Sequence, residues 1–300
     1  MAVSVRDLDA APSLTSLYLK AATRRPRGGP GVPQHALRLR GQVPQESRVA
    51  TYAELVGDRF GPDLPPLFPH LLGFPLQMAL LTDPASPFPA MGLVHVANHV
   101  EVLRGIPLGA PLDVEVEMAP VRPHRKGRTV DLVARVSQDG DVVWRSTSTY
   151  LRRGGGSGDA PAPEGAPPGE DGEDAVVLRP SAVWRVPADL GRRYGAVSGD
   201  RNPIHMSALT ARAFGFPRAI AHGMWTAARC LGALEGRLTA PFAADVEFRA
   251  PVSLPGTVEL LTAVSEKETR FVVRVGGGAK AQVRPGGKDR VNLTGSVTPL

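Results

Sequence analysis

Residues 154–175 read GGGSGDAPAPEGAPPGEDGEDA, and no packed layer can be built through them. Eleven of the 22 are Gly or Pro, six are Asp or Glu, and none is Val, Ile, Leu or aromatic. Such a segment buries too little apolar surface to offset its ordering entropy, which predicts a disordered linker. It falls near the middle of 300 residues, so the chain divides into a first part, 1–153, and a second, 176–300. Each part is long enough for a domain with its own core, and 42% of the chain is apolar.

The formal charge of +6 conceals the same division. Residues 1–153 carry 18 Lys/Arg against 14 Asp/Glu and residues 176–300 carry 17 against 9, so two basic parts flank an acidic segment. A basic balance suits an anionic partner. Nucleic acid is not expected, because aromatics are only 5% of the chain and no helix-turn-helix, zinc or RRM pattern occurs. One cysteine, Cys230, excludes an intramolecular disulfide framework and a cysteine-cluster metal site. No apolar run approaches the roughly 18–20 residues that span a bilayer, and the N-terminal MAVSVRDLDAAPS has no apolar signal core. These features predict a soluble, cytoplasmic protein in a reducing compartment.

The two parts resemble each other in their later portions. In the first, His99-Val-Glu-Val-Leu-Arg104 leads to Ile106-Pro-Leu-Gly109 and then the alternating run Leu112–Met118. In the second, Asp245-Val-Glu-Phe-Arg249 leads to Val252-Ser-Leu-Pro-Gly256 and then 257–264. Strand-like runs follow at 129–136 and 142–150, and at 270–275 and 290–297. Their alternation suits antiparallel strands with one buried face, and the repeat spacing is about 146 residues. Ahead of each strand block lies an apolar helix-like segment. The second, 222–235, repeats Met224, Ala227, Ala228, Leu231 and Leu234 at helical spacing, with Gly236 as its stop. The first, 71–81, is interrupted by Pro75. Each part therefore reads as a helix followed by an antiparallel sheet, an α+β unit.

Between Tyr194 and Gly223 the chain reads YGAVSGDRNPIHMSALTARAFGFPRAIAHG. Ser198-Gly199-Asp200 and Asn202-Pro203 are turn formers that should end a helix near Val197. Asp200 and His205 sit on that irregular segment, where a carboxylate and an imidazole can hold one water or hydroxyl between them. Ser207 suits the cap of a short helix through Phe214. His222-Gly223 opens the apolar helix, whose first N–H groups lack internal partners, so Gly223 offers an amide for a developing oxyanion. Taken alone, an Asp and a His five residues apart equally suit a structural turn. No HxH or HExxH spacing supports a metal trio of Asp200, His205 and His222, and no glycine-rich phosphate loop occurs, so neither metal nor cofactor is expected.

Tyr194, Ser198-Gly-Asp200, Asn202-Pro-Ile-His205, Ala213, Gly215-Phe216, Ile220 and His222-Gly-Met224 together resemble the hydratase 2 motif of MaoC-like enzymes, the (R)-specific enoyl-CoA hydratases and 3-hydroxyacyl-thioester dehydratases. The full length is similar to double hot-dog dehydratases of bacterial fatty-acid metabolism, and Phe88-Pro-Ala-Met-Gly-Leu-Val-His95 is similar to a segment of their first half. The resemblance implies a double hot dog, two long helices wrapped by antiparallel sheets. It implies Asp200 and His205 as the acid/base pair, Gly223 N–H as the thioester-oxygen donor, and Ser198, Gly199, Asn202, Pro203 and His222 as support. Where the family has Asp-Pro after the histidine, this chain has Met206-Ser207-Ala208. The first part holds His70, His95 and His99 but no comparable carboxylate; the resemblance implies that its helix region forms an acyl channel, while the residues of 71–81 alone equally suit a kinked core helix.

The implied reaction is reversible dehydration of (R)-3-hydroxyacyl thioesters of coenzyme A or acyl carrier protein to trans-2-enoyl thioesters. A short-chain hydratase of degradation and a catalytically silent thioester-binding double hot dog are the alternatives, and monomer and homodimer are both open. Arg122, Arg125, Lys126 and Arg128, and Arg192, Arg193, Arg201, Arg212 and Arg218 near the motif, would favour a phosphate-bearing or acidic carrier.

Overall fold

The computed structural model describes residues 4–23, 31–154, 177–276 and 290–300. Apart from Gly154, the linker expected at 154–175 lies outside the described residues. The first part forms strands β1 (Ser4–Leu8), β2 (His35–Gln42), β3 (Val94–Val102), β4 (Leu112–Met118), β5 (Arg122–His124), β6 (Gly127–Gln138) and β7 (Asp141–Arg153). Its helices are α1 (Leu14–Thr23), α2 (Glu46–Val56) and α3 (Pro69–Leu81). The second part forms β8 (Arg179–Val186), β9 (Phe242–Phe248), β10 (Gly256–Val264), β11 (Thr269–Val275) and β12 (Val291–Pro299). Its helices are α4 (Leu190–Ser198), α5 (Pro203–Met206), α6 (Ala208–Arg212) and α7 (Gly223–Ala233).

The alternating runs pair into one sheet, in the order β1-β2-β4-β6-β7-β3-β9-β12-β11-β10-β8. Setting aside β1, which pairs with β2 in parallel, the order of the first block is repeated in reverse by the second. β3 joins β9 at the centre, and His99 lies directly opposite Asp245. Those two positions are the ones the 146-residue repeat aligns. Equivalent residues meet face to face where a twofold axis passes, so the two blocks are related by an approximate dyad at this seam.

His99 Nδ1–H donates to Asp245 Oδ1 at 2.8 Å across the seam. That hydrogen bond raises the imidazole pKa above its ordinary 6.5, against partial burial. A raised folded pKa contributes stability in full below the unfolded value, and the contribution is lost as pH rises through the folded one. The decline in melting temperature as pH rises from about 6 through the raised value should therefore be smaller in His99→Gln than in the wild type. Thermal unfolding at a pH series measures this.

Buried surface fixes the two central helices. Ten of thirteen residues of α3 and eight of eleven of α7 are buried, so both are apolar on nearly every side, as core helices are. Two sequence expectations need correction. α3 runs through Pro75 instead of breaking there, because packing on all sides outweighs one missing N–H. α7 ends at Ala233 with Leu234 as its cap, short of Gly236. Its contact with the first half is close: Trp225 Nε1–H donates to the Leu55 carbonyl at 2.9 Å and Arg229 to the Val56 carbonyl at 3.1 Å. At Gly232 a Cβ would lie 3.0 Å from that same Val56 oxygen. Two core helices, each wrapped by half of one antiparallel sheet, make a double hot dog. Among the described residues no helix is long and apolar enough to cross a membrane.

Candidate active site

The turn after α4 explains its own spelling. Gly199 adopts φ 82° as the left-handed cap of α4, a conformation that favours glycine. Ser198 Oγ then accepts the Asp200 amide at 3.1 Å, and Asp200 Oδ1 accepts the Asn202 amide at 3.1 Å. Asn202 caps α5 by accepting from the Ile204 amide at 3.4 Å, and Pro203 starts that helix without needing an N–H. The result is one rigid turn that carries Asp200 and His205. Its fit depends on close backbone approach, since a Cβ at Gly191 would collide with the His205 carbonyl. Gly191→Ala should destabilise the fold by about 1–3 kcal/mol, as overpacking does, visible as a lower melting temperature.

His205 is buried, and its Nδ1 lies 2.8 Å from the Ile220 carbonyl. A carbonyl only accepts, so Nδ1 carries the hydrogen and Nε2 keeps a lone pair. Burial lowers this imidazole's pKa, with Asp200 opposing, so the ring is neutral near pH 7. His222, the residue before α7, donates Nε2–H to the Asp200 backbone carbonyl at 2.9 Å. Its ring stacks on His205 at 3.7 Å and contacts Tyr194 at 4.8 Å. Burial and the neighbouring His205 bring its pKa down to about 3.

The Asp200 carboxylate, 26% exposed, accepts from the Tyr18 hydroxyl at 2.7 Å. Burial pushes its pKa up, but His222, His205, the Tyr18 hydroxyl and the Asn202 amide outweigh burial and hold it below the ordinary value. The imidazoles add to that pull only when protonated, so at neutral pH the hydroxyl and amide stabilise the anion. The site thus pairs an ionised carboxylate with a neutral imidazole.

Donor atoms of Asp200, His205 and His222 lie within 4.8 Å of one another. That separation suits two groups sharing one water, whose hydrogen-bond partners sit about 4.5–5 Å apart. A metal trio is less well served: each imidazole has one nitrogen committed to a carbonyl, and stacked rings aim their remaining nitrogens in near-parallel planes.

Gly223 is the first residue of α7, so its N–H has no helical partner. A Cβ there would lie 2.9 Å from the Phe248 ring, which makes Phe248 packing the reason for a glycine. Asp200, His205, His222 and Gly223 all line one cavity of about 330 Å³ together with Ser198 and Asn202. Gly199 and Pro203 shape the turn behind it. The opposite wall belongs to the first half, through His70, Phe74, His95 and Tyr150.

The basic clusters singled out in the sequence lie elsewhere. Arg122 pairs with Asp131, Arg128 stacks on Phe88 at 5.0 Å, and Arg193 pairs with Glu54 at 3.6 Å. The arginines lining the cavity are Arg153, the last residue of β7, and Arg249, the residue after β9, and neither belongs to those clusters. Tyr18 was equally hidden. It lies 182 residues before Asp200 in a stretch with no motif, and only folding brings them together.

A family profile described as MaoC like domain matches residues 174–283. The chain is 37% identical over 256 residues to 3-hydroxyacyl-thioester dehydratase X of Mycobacterium tuberculosis, covering 85% of each protein. It is 39% identical over 77 residues to 3-hydroxybutyryl-CoA dehydratase of Methylorubrum extorquens, 24% of this chain and 49% of that one. Its fold matches the crystal structure of HtdX of Mycobacterium tuberculosis with a TM-score of 0.73 at 33% identity, over 88% of this chain and all of the other. With a matching family profile, a shared fold and 37% identity across 85% of its length, the chain belongs to the MaoC-like dehydratase family.

Proposed function

We propose that the protein interconverts (R)-3-hydroxyacyl and trans-2-enoyl thioesters by removing or adding water. The carrying observation is that the Asp200 carboxylate, His205 and the Gly223 amide line one cavity. Removing the C2 proton of a thioester places negative charge on its carbonyl oxygen, and one preorganised N–H at that oxygen typically contributes about 2.7–4 kcal/mol. Gly223 N–H is in place for that charge. An ionised carboxylate and a neutral imidazole hold no spare acidic proton between them. The proton taken from C2 therefore leaves with the 3-hydroxyl as water, and in the hydration direction a proton from water is returned to C2. The pair relays one proton, and the step calls on neither metal nor cofactor.

Residues 1–153 serve as the substrate-binding half and 176–300 as the half that carries chemistry, joined through 154–175. The thioester carrier is coenzyme A or acyl carrier protein, the setting is cytoplasmic, and the tandem satisfies hot-dog pairing as a monomer or as one member of a dimer. Crotonyl-CoA and a long-chain enoyl-CoA, followed by loss of enoyl-thioester absorbance, test the activity. Hydration of neither would leave the catalytically silent reading in its place. A short-chain role in degradation is the second reading, favoured by the similarity to a 3-hydroxybutyryl-CoA dehydratase; faster turnover of crotonyl-CoA than of the long chain would select it.

A further inference from the structure

We infer that Tyr18, on an N-terminal segment outside the hot-dog repeat, positions the Asp200 carboxylate for the proposed reaction. Among the described residues, β1 and α1 have no counterpart in the second block. They nevertheless reach the catalytic turn. Tyr18 Oη–H donates to Asp200 Oδ1 at 2.7 Å, and Tyr18 Oη accepts the Arg201 amide at 3.1 Å. Leu14 of the same helix occupies the space a Cβ would need at Gly199. One Asp200 oxygen is thereby held by Tyr18 and the Asn202 amide, which leaves Oδ2, 3.7 Å from His222 Nε2, as the working oxygen.

Asp200 faces Tyr18 from α1, His205 from α5 and His222 at the start of α7, and Tyr194, Tyr150, His70 and His95 also feel its charge. Among these, Tyr18 is the side chain that donates a hydrogen bond to the carboxylate. Its loss should raise the Asp200 pKa, so activity falls away at higher pH on the acid side. In the full chain, Tyr18→Phe should lower kcat for crotonyl-CoA about tenfold and move the acid limb of the pH profile upward. Tyr18→Ala should do no worse than Phe if the hydroxyl is what matters, with melting temperatures reporting fold. A Tyr18→Phe enzyme with the wild-type profile, beside an inactive Asp200→Asn, overturns this inference alone. Asp200→Asn at full rate overturns the reading of the site and this inference with it.

A separate observation concerns the facing wall. His70 Nδ1 and His95 Nε2 are buried polar atoms without a hydrogen-bond partner, and both residues line the cavity. His95 stacks between Tyr150 at 4.6 Å and His70 at 6.3 Å, and it packs on Phe248 at 4.9 Å. Phe248 in turn covers Gly223, so the pair sits one ring away from the thioester-oxygen donor. His70 occupies the start of α3 much as His222 precedes α7, but no carboxylate accompanies it. Burial brings His70 down to about 4 and His95 down to about 3, so both rings are neutral donor–acceptor groups.

The geometry points to a second subsite on this wall that takes an uncharged hydrogen-bonding group of the thioester, either an oxygen on the acyl chain or a pantetheine amide. Plain methylenes there would strip water from polar atoms and leave them unpaired, which a site of this kind rejects. The test, which rests on the proposed reaction, compares crotonyl-CoA, trans-2-decenoyl-CoA and a decenoyl-CoA bearing a distal hydroxyl. These are run with the wild type, His70→Leu and His95→Phe. A preference for the hydroxylated chain that falls about tenfold in the variants supports the acyl source. An equal loss in kcat/KM for all three thioesters supports the pantetheine source. Variants that match the wild type on all three overturn the subsite, whereas a wild type that hydrates none of them overturns the proposed reaction itself.

Discussion

Asp200→Asn is expected to reduce kcat for crotonyl-CoA hydration by about 10²–10⁴-fold, the usual contribution of a positioned acid–base group. The amide is nearly isosteric, so the turn should survive. Its carbonyl oxygen can still accept from Tyr18 and Asn202, the two donors that hold the carboxylate. What disappears is the proton affinity of the remaining oxygen. KM should change little, since in the proposed reaction the thioester carbonyl meets the Gly223 amide and not the Asp200 side chain. A melting temperature near that of the wild type, measured with the rate, distinguishes lost chemistry from lost structure. A wild-type kcat in the folded variant would remove Asp200 from the mechanism.

His205→Gln should have an effect of the same size, about 10²–10⁴-fold on kcat. Glutamine can still donate to the Ile220 carbonyl, which now orients the imidazole at 2.8 Å. It cannot offer the lone pair of Nε2 as a base. In the proposed reaction one proton passes through both groups, so the double variant with Asp200→Asn should be scarcely slower than either single one. Catalytic residues that act as a unit show this non-additivity. Multiplicative losses would show instead that the two residues serve independent steps.

Much of the fold was legible because local chemistry and global packing agree. The alternation in Leu112–Met118 became β4, the apolar stripe of Met224, Ala227, Ala228 and Leu231 became the buried face of α7, and Ser207 caps α6 through the Thr210 amide. The turn at 198–204 was legible for the same reason: Ser198, Asp200 and Asn202 each accept an amide two residues on. Pro75 misled because its cost is local whereas the packing that offsets it comes from distant strands. Tyr18, Tyr150, Arg153 and Arg249 carry no local signal: sheet order brings Tyr150, Arg153 and Arg249 to the cavity, and helix docking brings Tyr18 to Asp200. Gly223 stood out in the sequence for its amide at a helix start, but its missing side chain also makes room for Phe248, 25 residues on.

The central ladder between β3 and β9 has a consequence for how such a protein can change. A symmetric homodimer of single hot dogs repeats every substitution twice, once in each catalytic centre, so no copy can be spared for a new task. Here the two halves share one sheet but not one sequence. Both halves line the cavity, but in the proposed reaction the Asp200/His205 pair lies in the second half alone. A substitution on the first-half wall is therefore made once and leaves that pair unchanged, so selectivity can drift on one stretch of the gene while the ladder keeps both halves facing a common cavity.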